Sequence, residues 1–147
     1  MTDNVIIRLL DKDEDAVLSK IAEDVFDNTV AFDLTKEFLA DKRHHITVAL
    51  DNGLVVGMAT ALHYVHPDKA AELWINEVGV APGHQGKGIG KKLIKALLKH
   101  GKSLGCKEAW VLTEVHNTAA RRLYSSAGGV EESERPVYFT FNLADDA

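Results

Sequence analysis

The feature that most constrains this chain is a run of glycines feeding a helix. Val78-Gly79-Val80-Ala81-Pro82-Gly83-His84-Gln85-Gly86-Lys87-Gly88-Ile89-Gly90 leads directly into a segment where Ile89, Leu93, Ile94, Leu97 and Leu98 recur at helical spacing. A glycine costs about 1 kcal/mol relative to alanine inside a helix. Glycines at 86, 88 and 90 therefore answer a demand that alanine cannot meet. Strand, glycine-rich loop and helix in that order make an anion site. The first amides of a helix lack internal acceptors, and the helix dipole adds partial positive charge there. Missing Cβ atoms let a phosphate approach the backbone and relax the φ limits of the turn. Lys87, Lys91 and Lys92 are candidates to steer phosphates, Lys87 first, whereas Lys95, Lys99 and Lys102 read as a solvated face.

Two common phosphate motifs do not fit by position. A P-loop counted from Gly83 puts Gly88 in its second glycine slot, but Ile89 stands where lysine is required. A dinucleotide fingerprint counted from Gly86 needs a third glycine at position 91, which is Lys91.

The rest of the chain reads as one domain over 1–147, with no repeat or low-complexity linker. Val5 to Leu10 is a first strand. Asp11 to Asp15 supplies acids for the start of a helix in which Val17, Leu18, Ile21, Ala22, Val25 and Phe26 form the apolar face. A shorter helix follows around Leu34 to Asp41. Ile46, Val48 and Leu50 alternate as a strand, Asp51-Asn52-Gly53 is a hairpin turn, and Leu54 to Val65 returns. His66-Pro67-Asp68 breaks that strand before Glu72 to Val80. After the glycine segment and its helix, Gly105 is a natural stop. Ala109 to Val115 is a strand, Thr118 to Ala127 a helix, and Val137 to Asn142 a last strand. The order predicts an α+β or mixed α/β fold with helices on both faces of the sheet.

Charge and cysteine content narrow the function. Seventeen Lys and Arg against twenty-two Asp and Glu leave a formal charge of −5, which offers no general attraction to a phosphate backbone, so nucleic acid is not an expected partner. One cysteine, Cys106, precludes an intrachain disulfide, and with no acid–base partner nearby it reads as buried, not nucleophilic. Seven histidines include His44, His45, His63 and His66, but without a metal-ligand spacing, so no metal is expected. Trp74 and Trp110 read as core or interface residues. No run approaches the ~20 apolar residues of a membrane span, and the acidic start lacks the basic region of a signal peptide. A cytoplasmic location is expected.

Val80-x-Pro82 followed by Gln85-x-x-Gly88-x-Gly90 and Leu93 closely resembles the acetyl-CoA motif of the GCN5-related N-acetyltransferases. Asn117-x-x-Ala120-x-x-x-Tyr124-x-x-x-Gly128 resembles the second CoA-contacting helix of that superfamily. From Ile46 to Phe141 the chain further resembles the type I aminoglycoside 3-N-acetyltransferases, through His66 to Ala71, Glu72 to Val78, the helix Lys91 to His100, and the tail Val130-Glu131-Glu132 to Val137-Tyr138-Phe139. Those enzymes carry an acidic pair where this chain has His116-Asn117-Thr118. The resemblance implies the family fold, a mixed and mostly antiparallel sheet of six to seven strands. It implies acetyl-CoA as cosubstrate, direct transfer to a primary amine of a small cationic molecule such as an aminoglycoside, and allows a homodimer. A protein or peptide N-acetyltransferase and a non-catalytic acyl-CoA-binding module are the alternatives.

Specific residues inherit roles from that resemblance. The backbone of Val78, Gly79 and Val80 would pair with pantetheine as an added strand, with an amide of the same strand polarising the thioester carbonyl. Amides of Gln85, Gly86, Lys87, Gly88, Ile89 and Gly90 would take the diphosphate. Ala120 belongs to the second motif, and Asn117 is either a cofactor partner or an N-cap for the next helix. Tyr124 stands where the family often places the acid that protonates the thiolate. Strand alternation puts Leu73, Ile75 and Glu77 on one face, which makes Glu77 a partly desolvated candidate base. Glu114 is the second candidate and Glu72 the third.

Overall fold

Branched and aliphatic residues on consecutive strands, joined by a tight Asn-Gly turn, build the centre of the molecule. The computed structural model describes residues 4–144. β1 (Val5–Leu9), β2 (His44–Asp51), β3 (Leu54–Tyr64), β4 (Glu72–Val80) and β5 (Glu108–Val111) form one five-stranded sheet in sequential order. The first four strands pair antiparallel and β5 joins β4 in parallel. Asn52 and Gly53 adopt positive φ at the β2–β3 turn, as the turn chemistry requires.

α1 (Phe32–Ala40), α2 (Ile89–Ser103) and α3 (Thr118–Ser126) complete the fold, with short 3-10 turns at Asp15–Ser19 and Pro82–His84. α2 packs its Ile89, Leu93, Ile94 and Leu97 stripe on the sheet face that carries Thr47, Ala49, Gly57 and Leu73. Full burial of one such side chain contributes about 1.5–3 kcal/mol. Buried Thr47 meets its need by donating to the Leu93 carbonyl at 3.1 Å. Adjacent residues of β2 show that both faces are covered. His45 bonds His100 of α2, while the ring of His44 packs at 5.2 Å against Phe38 of α1.

Four expectations are corrected. The 17–26 segment is not a helix. After a 3-10 turn, Lys20 O accepts from Val55 N, Ala22 N donates to Val55 O, and Asp24 takes a φ of 63° that no α-helix accommodates. β5 stops at Val111, not Val115. Val137 to Asn142 forms no strand of the sheet, whose order among the described residues ends at β5. Among the described residues the sheet consequently has five strands and not six or seven. Among the described residues, no helix is long and apolar enough to cross a membrane.

Candidate active site

β4 and β5 run together only briefly. Glu72 to Ile75 pair with Glu108 to Val111, after which β4 continues from Asn76 to Val80 with no strand on that side among the described residues. An unpaired strand edge offers main-chain donors and acceptors to an extended ligand. Val78, Gly79 and Val80 lie on this open stretch, each half-buried.

The edge leads into the glycine loop. Gly86 and Gly88 take φ of 77° and 80°, a region that excludes most side chains, and Gly88 is the N-cap of α2. Lys92 N donates to Gly88 O at 3.1 Å, the first main-chain bond of the helix, so the amides before it remain available to a ligand. The loop is exposed from Gln85 to Gly88. Two side chains brace it. Gln85 Nε2 donates to Val80 O at 3.0 Å, and His84 Nε2 lies 2.9 Å from Asp51 Oδ2 in the β2–β3 turn. Braced by these two bonds, the loop holds its free amides in a fixed arrangement. Lys87 and Lys92 are exposed beside it and Lys91 is half-buried.

α3 docks next to the loop. A Cβ at buried Gly90 would lie 3.2 Å from Leu123 Cδ1, so Gly90 serves helix packing and not only ligand approach. Asn117 resolves as an N-cap: its side-chain oxygen accepts from Ala120 N at 3.1 Å, which also occupies the Ala120 amide. Tyr124, one residue after Leu123, is half-buried, and burial pushes its phenol above the ordinary value. It therefore stays protonated at neutral pH.

The three carboxylates separate in the structure. Directly paired residues of antiparallel strands share a face. Ile75 pairs with Ala61 and Glu77 with Thr60, so Asn76 is the extra residue of a bulge. The bulge turns Glu77 away from the face of Leu73 and Ile75, and Glu77 is exposed and not desolvated. It shares its new face with Gly79, where a Cβ would lie 2.0 Å from the carbonyl oxygen of Val25. Glu114 lies beyond the end of β5, exposed. Glu72 is engaged: Lys69 Nζ lies at 3.0 Å and Trp110 Nε1 donates at 3.1 Å. The bond from Lys69 holds its carboxyl below the usual range, which makes Glu72 a poor base.

Other features escaped the sequence reading. The segment that crosses β4 at Val25 borders a cleft of about 410 Å³ lined by Glu23, Asp24 and Asp27. Their density in sequence was the available signal, masked by the expectation of a helix. His45 Nε2 lies 2.7 Å from His63 Nδ1, and His100 Nε2 lies 3.1 Å from His45 Nδ1, a chain of three rings joining β2, β3 and α2. Burial, then His100 and His63, push His45 down to about 4. Among the described residues no group is placed to hold a metal ion. Cys106 is half-buried, and burial pushes its thiol up. Trp74 and Trp110 stack at 5.1 Å across β4 and β5.

A model of the acetyltransferase (GNAT) family matches residues 11–128. The chain belongs to this family. Among GNAT relatives, it is 40% identical over 60 residues to a mycothiol acetyltransferase of Saccharopolyspora erythraea, over 41% of this chain and 19% of that protein. It is 28% identical over 96 residues to an aminoglycoside N(6')-acetyltransferase type 1 of Salmonella typhimurium, over 63% of this chain and 66% of that protein. It is also 32% identical over 107 residues to the N-alpha-acetyltransferase RimI of Mycobacterium tuberculosis, over 73% and 65%. The chain thus spans from a fifth to about two thirds of these relatives. None of the three carries the 3-N designation.

The GNAT fold is equally clear in solved structures. An aminoglycoside acetyltransferase from an uncultured soil metagenomic sample, in complex with sisomicin, superposes with a TM-score of 0.79 at 22% identity over 95% of this chain and 96% of that one. The aminoglycoside N-acetyltransferase AAC(6')-Iy in complex with CoA gives 0.76 at 22% identity, over 96% and 97%.

Proposed function

We propose that this chain is an acetyl-CoA-dependent N-acetyltransferase acting on a primary amine of a small cationic molecule. The observation that carries this reading is the open β4 edge from Asn76 to Val80 running into the positive-φ glycine loop at the start of α2. That pairing of features suits an extended amide chain ending in a diphosphate, and the family membership supports the same cosubstrate. Main-chain groups of Val78 to Val80 hold the pantetheine, and the amides of Gly86 to Gly90 hold the diphosphate, with Lys87 adding charge.

The cosubstrate supplies an acetyl thioester. The amine must lose a proton before its nitrogen bonds to the acetyl carbon, and Glu77 accepts that proton, directly or through water. The carbon–sulfur bond breaks as the amide forms, and the departing sulfur takes a proton from the Tyr124 hydroxyl. A half-buried phenol with a raised pKa arrives at this step still protonated.

The acidic cleft of Glu23, Asp24 and Asp27 supports a cationic acceptor, and so do the aminoglycoside relatives. Peptide N-termini are the second acceptor class, supported by the RimI likeness. Release of CoA thiol across a panel of polyamines, aminoglycosides and short peptides tests the reading. Turnover of small polycations above peptides is expected. Binding of acetyl-CoA with no thiol released for any amine would identify a silent acyl-CoA-binding module instead.

A further inference from the structure

The two tryptophans of the chain lie on neighbouring strands, and the chemistry described above uses neither. Trp74 on β4 is in register with Trp110 on β5, and their rings stack at 5.1 Å with planes 15° apart. Pairing with β3 fixes the side they occupy. Trp74 faces Leu62 and Glu77 faces Thr60, next-but-one neighbours on β3, so Trp74 and Glu77 project from the same side of the sheet. Leu73 projects from the other side, where a Cβ at Gly101 of α2 would lie 2.9 Å from its Cδ2. Gly79 shares the side of Glu77, under the carbonyl of Val25. A line therefore runs along β4 from the indoles through Glu77 to the crossing of the acidic segment 23–27. From Trp74 to Glu77 it covers at most about 10 Å.

Both indoles are half-buried, so part of each ring stays open to a ligand. They are also held. Trp110 Nε1 donates to Glu72 Oε1 at 3.1 Å, and Lys69 Nζ lies 3.0 Å from Glu72 Oε2. His66 Nε2, buried without a hydrogen-bond partner, stands 3.9 Å from the same carboxylate, and its ring meets Tyr64 edge-on at 4.8 Å. Glu72 thus anchors the plane of Trp110, and the stack passes that order to Trp74. An aromatic surface fixed before a ligand arrives loses little freedom when it binds.

We propose that the Trp74–Trp110 pair is the surface on which the body of the acceptor lies, and that it selects amines carried on a ring over amines on an open chain. This inference rests on the acetyltransferase reading above. An acceptor whose amine reaches Glu77 extends its body back along β4 over the indoles. A ring lays a rigid apolar face against an indole, and an ammonium beside it is attracted by the π electrons. An open-chain polyamine must give up several rotors to make the same contact. The carboxylates of Glu23, Asp24 and Asp27 attract both kinds of cation, so discrimination falls to the indoles. Glu72 is a positioning residue in this arrangement, acting through Trp110 and not on the reacting atoms.

Trp74 and Trp110 are the chain's two tryptophans, so intrinsic emission reports on this surface without turnover. The chain, with and without CoA, is titrated with kanamycin, phenethylamine and spermine. A saturable emission change is expected with a ring-bearing amine, aminosugar or aryl, and spermine is expected to bind about tenfold more weakly or less. Trp74→Ala should raise KM for the ring-bearing amine about tenfold while kcat and acetyl-CoA affinity hold, and Trp74→Phe should recover most of the loss. Glu72→Ala should diminish the circular-dichroism couplet of the stacked indoles and raise the same KM, whereas Glu72→Gln, which still accepts from Trp110, should do neither. Emission unmoved by both ring-bearing amines, or moved equally by spermine, would overturn the proposal whether or not the variants fold. Unchanged KM in a folded Trp74→Ala would overturn it too and leave the acetyltransferase reading standing. Emission that responds while no amine ever releases CoA thiol would keep the ring-binding surface and defeat the transfer reading instead.

Discussion

Tyr124 sits on α3 one residue from the side chain that packs against Gly90, and burial keeps its phenol protonated. If it donates to the leaving sulfur, Tyr124→Phe loses roughly 10²- to 10⁴-fold in kcat with KM for both substrates nearly unchanged, a split that steady-state kinetics reads directly. His84 acts differently. It touches Asp51 and braces the loop whose amides we propose to bind the diphosphate. Asp51→Asn removes the charge from that bond and is expected to raise KM for acetyl-CoA about tenfold while kcat holds, since charge-assisted bonds are worth about 1.5–3 kcal/mol. The sequence made Tyr124 and the loop residues legible, because their spacing is local. It could not reveal that Asn117 spends its oxygen on Ala120, nor that Glu72 is tied to Lys69 and Trp110. Those are contacts whose partners only the fold or a cap geometry decides.

At the scale of elements, strong local patterns survived and weak ones yielded to pairing. β4 spans Glu72–Val80 as its composition suggested, and α2 begins where the glycines end. The 17–26 segment had helical spacing too, but the bonds from Val55 N to Lys20 O and from Ala22 N to Val55 O won. The Asn76 bulge reversed the face of Glu77, and alternation counted by twos cannot anticipate an inserted residue. Gly88 gives a direct test of the loop. An alanine there must adopt a φ of 80°, so Gly88→Ala costs about 1–2 kcal/mol. For a chain of this size that lowers Tm by a few degrees in a thermal melt. The histidine chain joining β2, β3 and α2 sets a pH dependence. His45 falls from an ordinary 6.5 to about 4 on folding, so the unfolded chain binds more protons between those values. Its contribution is present above pH 6.5 and is lost as pH falls toward 4, on the order of 3 kcal/mol. Denaturant melts of the parent chain should weaken across that window, and His45→Phe should flatten the trend.

For the whole molecule, the sheet, the glycine loop at the start of α2 and the acidic cleft are parts of one arrangement. β4 ends at the loop, α3 docks against the first turn of α2, and the segment lined by Glu23, Asp24 and Asp27 crosses β4 at Gly79. A cosubstrate on one side of β4 and a cation on the other would therefore meet along the same strand. Raising ionic strength should increase KM for a polycationic amine more than KM for a neutral one, because exposed carboxylates are screened. The fold class could be read from the order of strands and helices, but the alternation at Val137 to Asn142 misled, because it gives a strand only where a neighbouring strand pairs with it. The central claim is that the β4 edge and the glycine loop together bind acetyl-CoA. Titration calorimetry tests it most directly: one acetyl-CoA per chain is predicted, with affinity sharply weakened in Gly88→Ala that remains folded. No heat from the parent chain, or the same affinity in the variant, would contradict it.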